Sequence, residues 1–197
     1  HDRNADFWNN RGEVGVGARY MPFENYGLIL FAEVLRGLYT GREGRDRNPD
    51  DDPYWDVQAG FAFWQWWGRY PWEVERLELY WPWTGWREVY ADGIYYKRDD
   101  GNFIATFDYK EGWMMGKLGP VRYDGFVALE AGADTHADWW NNYLRIGPGF
   151  RLRPFPSLDF QISVEYFLGG YWRGDEKNAR DDRFNDFVVT ASFYTEF

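Results

Sequence analysis

Hydrophobic and polar residues alternate one by one along most of the chain. The segment 158–173 shows this pattern clearly, because every second side chain in much of it is apolar. These apolar residues are Phe160, Ile162, Val164, Tyr166, Leu168 and Trp172. The positions between them are mainly polar and include Ser163, Glu165 and Arg173. Alternation with a period of two over this length predicts β-strands with one apolar face and one polar face.

The same pattern predicts nine strands. We place them near 11–22, 26–41, 54–67, 86–97, 102–114, 121–133, 142–153, 158–173 and 184–197. The connectors alternate between short turns and longer hydrophilic segments. The short turns are 22–25, 117–120 and 153–157, and the longer segments are 41–53, 97–102, 132–142 and 173–182. Short turns at one end and long polar loops at the other are typical of outer-membrane barrels. The predicted fold is therefore all-β: one antiparallel, up-and-down transmembrane β-barrel over 1–197.

Part of the chain occurs twice. DFWNNRGEVGVGARYMPF at 6–23 returns as DWWNNYLRIGPGFRLRPF at 138–155, and the likeness continues without a gap to residues 41 and 173. A third segment, from Tyr54, matches the segment from Phe184 in pattern after a connector of slightly different length. Repeated supersecondary units indicate an architecture made from one module. We therefore predict an internally duplicated three-strand module, with copies at 6–67 and 138–197.

The segment 68–85 is the one long connector on the short-turn side. Tryptophans cluster around it, at Trp64, Trp66, Trp67, Trp72, Trp81, Trp83 and Trp86. Tryptophan is enriched at membrane–water interfaces. We therefore expect this connector to lie at the periplasmic surface of the membrane. A helix opened by Pro71 and a further pair of strands are the alternatives.

Composition narrows the classes of partner. Aromatic residues make up 22% of the chain, with 13 Trp and 15 Tyr, and such side chains collect at membrane interfaces and sugar-binding surfaces. The net charge of -10 argues against a nucleic-acid partner, because phosphate binding needs a basic face. The chain has no cysteine, which excludes disulfides, thiolate metal sites and cysteine nucleophiles.

A soluble barrel of the lipocalin type is the main alternative fold. It would show the same alternation with the apolar face inward and the charged face in water. Three features favour the membrane instead: the unequal loops, the aromatic excess and the terminal Phe197. These features also predict outer-membrane lipid and lipopolysaccharide as surroundings of the barrel.

The last strand resembles a known assembly signal. ASFYTEF ends on Phe197, with Phe193 on the same apolar face, like the C-terminal signal that passes bacterial outer-membrane proteins to the barrel-assembly machinery. The stretches FWNNRGEVGVGARYMPF and FVVTASFYTEF also resemble the C-terminal barrels of large outer-membrane proteins with upstream periplasmic helical repeats. That group includes exopolysaccharide-export porins and a phage-adsorption receptor. The resemblance implies location in the outer membrane of a Gram-negative bacterium, and passage or anchoring of a surface polysaccharide.

The strand count adds an expectation about the whole protein. Counting strand directions back from Phe197 places the opening DFWNN segment outside the cell. Barrels of this kind normally start in the periplasm and have an even number of strands. We therefore expect this chain to be the C-terminal part of a longer protein, with at least one further strand upstream.

The polar face supplies candidate binding residues for the interior of the barrel. The candidates are Glu33, Glu165, Arg19, Arg151, Arg145, Asp108, Arg122, Asp124 and Glu130. We expect Glu33 to lie opposite Gly15 and Glu165 opposite Gly147, which would leave space beside each carboxylate. One interpretation is a set of charge pairs that fills a narrow barrel. The other is a polar, aromatic-lined passage along which sugar hydroxyls slide.

Enzymatic and metal-binding motifs are sparse. His136 is the only histidine inside the chain, and Asp134 and Asp138 flank it. A lone histidine in such a segment is more typical of a solvated loop than of a catalytic or metal site. Asp50, Asp51 and Asp52 form an acidic loop that is a weak candidate for Ca²⁺. We predict no catalytic residue and no cofactor, and a hydrolase or lipid-modifying barrel remains the alternative. The repeated Asn-Asn pairs are expected to shape loops, because Asn bonds readily to its own backbone.

Overall fold

A computed structural model describes residues 11–23, 26–39, 53–68, 85–97, 100–136, 141–155, 160–172 and 183–193. Within these ranges the chain forms nine β-strands and no helix. The strands are β1 Arg11–Tyr20, β2 Gly27–Tyr39, β3 Tyr54–Gly68, β4 Gly85–Tyr96, β5 Asn102–Leu118, β6 Val121–Asp134, β7 Tyr143–Phe155, β8 Phe160–Tyr171 and β9 Arg183–Phe193. The prediction of an all-β chain with nine strands is confirmed.

All nine strands belong to one sheet in the order β1 to β9, and each strand is antiparallel to the next. The up-and-down topology predicted from the alternating connectors is therefore confirmed. Strand β5 runs further than expected, to Leu118, and contains an irregularity in register between Met114 and Gly116. In the described part of the chain, β1 and β9 are the two edges of the sheet.

The sheet curves around one of its faces, which we call the inner face. Side chains on this face reach strands that are not neighbours in the sheet. Lys110 on β5 bonds to Glu165 on β8, and Arg151 on β7 bonds to Glu88 on β4. Contacts across three strands need strong curvature, because adjacent strands lie about 4.8 Å apart in a flat sheet.

The inner face is polar and the outer face is apolar. Among the described residues, ten polar or charged ones are buried. They are Asp56, Gln58, Asn102, Asp124, Asp134, Asn142, Arg151, Arg153, Ser163 and Glu165. In contrast, apolar residues on the opposite face of the strands are exposed: Val16 is 81% exposed and Leu168 is 59% exposed. This is the reverse of the burial expected for a lipocalin-type barrel, which packs its apolar face inside.

An aromatic cluster interrupts the polar inner face. Trp86 and Phe167 are 1% and 0% exposed, and Phe126 and Ala128 complete the buried cluster. The Trp86 ring stacks on Trp66 at 5.1 Å between centroids. Trp66 and Trp86 therefore face the inside of the curved sheet, and the predicted position of the connector 68–85 stays a prediction. Both occupy even positions in β3 and β4, and the strand alternation turns even positions of these strands inward.

The register of the first hairpin differs from the expected one. Glu33 lies opposite Gly17, and Glu165 lies opposite Gly149, rather than opposite Gly15 and Gly147. The pairing is centred one residue later in each hairpin than we expected, which moves each partner by two residues. A shift of two keeps every side chain on its face, so the face assignment is correct.

The two predicted copies share their strand pairing. Glu13 pairs with Gly37 in β1–β2, and their equivalents in the second copy, Arg145 and Gly169, pair in β7–β8. The third strands correspond as well, because Gly37 pairs with Tyr54 and Gly169 with Phe184. In both copies the aromatic ring lies where a side chain on the glycine would be. An aromatic side chain covering a strand glycine stabilises a sheet. The origin of the repeat by duplication stays a prediction.

Three predictions concern residues outside the described ranges. They are the position of the connector 68–85 between its ends, the first Asn-Asn pair at Asn9 and Asn10, and the terminal Phe197. Phe193, the last described residue, lies on the outer face at 58% exposure, which is the face predicted for it. No helix among the described residues is long and apolar enough to cross a membrane.

Candidate functional site

The inner face brings together all nine residues proposed as interior candidates. Strand pairing places directly opposed residues on the same face. Thus Glu130 faces Arg145, and Asp124 faces Arg151. The remaining candidates lie on the same face by the same register. They are Arg19, Glu33, Asp108, Arg122 and Glu165. The period of two was sufficient to place these side chains on one surface.

A buried ion network occupies the middle of the inner face. Lys110 Nζ lies 3.1 Å from Glu165 Oε1 and 3.4 Å from Asp108 Oδ2. The Ser163 hydroxyl donates to the same Glu165 oxygen at 3.1 Å. Glu165 is only 3% exposed, so its charge depends on these partners. The alternation places Lys110, Ser163 and the carboxylates on one face, but it does not predict their contact, because the contact depends on curvature across three strands.

An arginine fork organises the long-loop end of the inner face. Arg145 Nε donates to Glu130 Oε2 at 2.7 Å, and Nη1 donates to Asp186 Oδ2 at 2.6 Å. The guanidinium also lies 4.4 Å above the centre of the Phe167 ring. Asp186 was not among the predicted residues. The repeat carries a signal for it, because Asp186 is the equivalent in the second copy of Asp56, an inner-face carboxylate that is buried.

A cavity of ≈ 390 Å³ opens beside this fork. It is lined by Tyr143, Arg145, Tyr171, Phe184, Asn185 and Asp186. The rings of Tyr171 and Phe184 stack at 4.7 Å between centroids. The cavity therefore offers aromatic surface next to an arginine whose charge is already compensated by two carboxylates. Such a combination of apolar rings and a few fixed polar groups is typical of small-molecule pockets.

The first copy of the module forms a more open part of the inner face. Glu13 accepts a hydrogen bond from the Tyr54 hydroxyl at 2.7 Å. Arg19 approaches Glu33 only to 3.7 Å, and its side chain is 74% exposed. The equivalent residues of the second copy are packed, since Arg151 is 3% exposed. The inner face thus has an open side, where the Arg19–Glu33 pair of β1 and β2 is exposed, and a packed side, formed by β3 to β9, where Asp56 and Gln58 are already buried.

Basic residues gather at the short-turn end of the packed side. Arg151 Nη2 lies 3.2 Å from Glu88 Oε2, and the guanidinium lies 4.5 Å above the Trp86 ring centre. Arg153 approaches Asp124 to 3.8 Å. Arg122 faces Arg153 directly across β6 and β7.

The second Asn-Asn pair, Asn141 and Asn142, connects the end of β6 to the start of β7 by hydrogen bonds. Asn141 and Asn142 each donate from their side-chain amide to Asp134 at 2.8 Å, and Asn102 donates to the same carboxylate at 3.4 Å. Asn142 and Asn102 are 0% exposed. These bonds agree with the predicted role of the pair in shaping the loop. His136 is exposed, and its backbone N–H donates to Asn102 at 3.4 Å.

The metal and enzyme candidates lie largely outside the described residues. Asp138 and the acidic loop Asp50, Asp51 and Asp52 lie outside the described ranges. Across the ranges that are described, no group of three or more His, Asp or Glu side chains is arranged to hold a metal ion.

Comparisons with protein-family models, curated proteins and solved structures find no match to this chain. Function is therefore inferred from the inner face itself. Its main features are a polar interior under an apolar exterior, an open acidic side, and a packed side with one aromatic pocket.

Proposed function

We propose that the chain forms a β-barrel in the outer membrane of a Gram-negative bacterium. The reversed polarity of the sheet carries this proposal. Val16, Val34 and Phe187 lie on the outer face and are 81%, 44% and 64% exposed. Transfer of each such side chain from water into lipid would contribute about 1.5–3 kcal/mol to the stability of the folded chain. Several charges buried on the inner face are paired, such as Lys110 with Glu165, as the interior of a narrow membrane barrel requires.

Closure of the barrel needs an additional element. With nine antiparallel strands, β1 and β9 run in the same direction. Direct pairing between them would be parallel, whereas bacterial barrels are antiparallel with an even strand count. We propose that one further strand, from outside the described residues, pairs with both edges.

The open side of the inner face is the proposed passage. Its carboxylates are Glu13 and Glu33, with Asp92 half-buried on β4, whereas Arg11 and Arg19 are the basic residues at inner-face positions of β1. Asp56 is buried, and Glu88 pairs with Arg151 of the packed side. An acidic lining attracts cations and repels anions. The passage would suit hydrated, polar solutes that are neutral or positively charged.

A surface polysaccharide is the proposed solute or anchored ligand. The support comes from the pocket between Tyr171 and Phe184, where stacked aromatic rings stand beside the Arg145–Asp186 pair. Ring faces suit the apolar faces of sugars, and fixed charged groups suit their hydroxyls. The pocket lies at the long-loop end, which would face the cell exterior in this orientation.

Conductance in planar lipid bilayers tests the passage. The chain, inserted from detergent, should open channels that prefer K⁺ over Cl⁻ in a KCl gradient. Glu33→Gln should reduce that preference, because it removes a carboxylate from the open side. Glu111→Gln is the matched control, since Glu111 lies on the outer face and pairs with Arg87 there. Channels with equal preference in the original chain and the Glu33 variant would contradict the acidic passage.

A plugged surface scaffold or receptor is the second candidate. The observation that favours it is the buried cluster of Trp86, Phe126, Ala128 and Phe167 in the interior. If the chain inserts into bilayers and opens no channels, the cluster and the ion network act together as a plug. Membrane insertion without conductance would thus select the scaffold over the passage.

A further inference from the structure

Four cationic side chains form a basic cluster at the short-turn end of the packed side. They are Lys117, Arg122, Arg151 and Arg153. Lys117 lies directly opposite Arg122, and Arg122 lies directly opposite Arg153, so three cations form a row across β5, β6 and β7. Directly opposed side chains in a sheet have Cβ atoms about 4.5–5.5 Å apart, and like charges at that separation repel. The row is unexpected in a chain with 32 acidic and 22 basic residues.

The carboxylates near the cluster compensate only part of its charge. Glu88 pairs with Arg151 at 3.2 Å, and Asp124 approaches Arg153 at 3.8 Å. Arg122 and Lys117 have no ion-pair partner within 4.0 Å among the residues that the structure describes. Among the described residues, two carboxylates thus pair with two of the four cations, and Asp124 interacts electrostatically with all three guanidinium groups at once.

Buried donors in the cluster are unused. Arg122 Nη1 and Arg151 Nε are shielded from solvent and have no hydrogen-bond partner among the described residues. The same holds for both carboxylate oxygens of Asp124, which lies directly opposite Arg151. Arg151 is itself 3% exposed and is held in place by Glu88 and by the Trp86 ring below it. A buried guanidinium N–H without an acceptor costs free energy, because it has lost water without replacement. An anion between these arginines would accept from both groups and offset the repulsion within the row.

We propose that the basic cluster binds an oxyanion group, a phosphate, sulfate or carboxylate, at the short-turn end of the inner face. Arg122 and Arg151 supply the buried donors, and the planar guanidinium matches two oxygens of such a group. Lys117 is exposed at the rim and adds a point charge. Glu88 and Asp124 hold Arg151 and Arg153 in position. The site lies on the packed side, so it does not depend on conductance through the open side.

Isothermal titration of the 197-residue chain in neutral detergent tests the site. Sodium sulfate, sodium phosphate and sodium glucuronate are the probes, and sodium chloride at equal ionic strength controls for general screening. Arg122→Gln removes one buried donor, and Lys117→Gln removes the exposed charge at little risk to folding. Arg87→Gln is the matched control, because Arg87 lies near the same end on the outer face and is 61% exposed.

The proposal predicts saturable binding of at least one oxyanion at one site per chain, and no such binding of chloride. Arg122→Gln should weaken binding about tenfold or more, since it removes a charge-assisted contact, and Lys117→Gln should weaken it about two- to fivefold. Arg87→Gln should leave the affinity unchanged. Absence of saturable binding by all three oxyanions would overturn the proposal, and so would equal affinities of the Lys117 and Arg87 variants. A preference among the three probes identifies the chemical source of the group.

Discussion

At the scale of the residue, the repeat sets the same carboxylate in two environments. Glu165 is 3% exposed and bonds to Lys110 and Ser163, whereas Glu33, its equivalent in the first copy, is 26% exposed in its side chain and lies 3.7 Å from Arg19. A buried ion pair broken on one side leaves an uncompensated charge, whereas an exposed pair contributes little. The two copies therefore provide an internal comparison of burial.

This comparison gives a stability prediction. Glu165→Ala should destabilise the chain by about 3–5 kcal/mol, because Lys110 would stay buried without its nearest partner. Glu33→Ala should cost about 0–1 kcal/mol, because its pair is long and solvated. Reversible unfolding in urea, followed by tryptophan fluorescence in detergent or liposomes, measures both values. Equal losses for the two variants would show that the inner face is not packed as described.

At the scale of the element, the ends of β6 and β7 are tied together by asparagine. Asn142 donates to Asp134 Oδ1 and accepts from the Asp134 backbone N–H, and its own carbonyl accepts from Trp172 at 3.0 Å. Asn142→Ala should destabilise the chain by about 1–3 kcal/mol, because it leaves buried polar groups without partners. Hydrogen exchange at the Asp134 amide should also become faster. Asn185→Ala, at an exposed asparagine of β9, is the control, and an unchanged Asp134 amide in the Asn142 variant would contradict this role.

The sequence predicted elements well and contacts between distant elements poorly. Strand bounds and faces follow from the period of two, which is local and can be read directly along β6 to β8. The pairing of Glu33 with Gly17 was missed, because the centre of a hairpin depends on turn geometry. The Lys110–Glu165 bond depends on sheet curvature and stagger, which no local pattern encodes. Asp186 was missed as well, although its place in the repeat, equivalent to that of Asp56, would have revealed it.

At the scale of the whole molecule, the outer face separates a membrane barrel from a soluble one. Val34 lies near the middle of β2, between Val16 and Val57, and is 44% exposed, whereas Tyr20 ends β1 on the same face at the short-turn end and is 65% exposed. Val34→Arg should lower stability in lipid by about 2–4 kcal/mol and Tyr20→Arg by about 0–1 kcal/mol, because the cost of a charge depends on its depth. Unfolding in liposomes measures the difference. In a soluble barrel both exposed positions would accept arginine equally.

Location of the chain in the membrane is the central claim, and fractionation of the native protein tests it most directly. Membranes of cells that express it should be washed in alkaline carbonate and analysed on a gel with and without boiling. A membrane barrel should remain in the pellet, and its band should shift on boiling, because closed barrels resist the detergent until they are heated. A protein that washes into solution and shows no shift would contradict the account. The exposed apolar face would then have to be covered by something other than lipid.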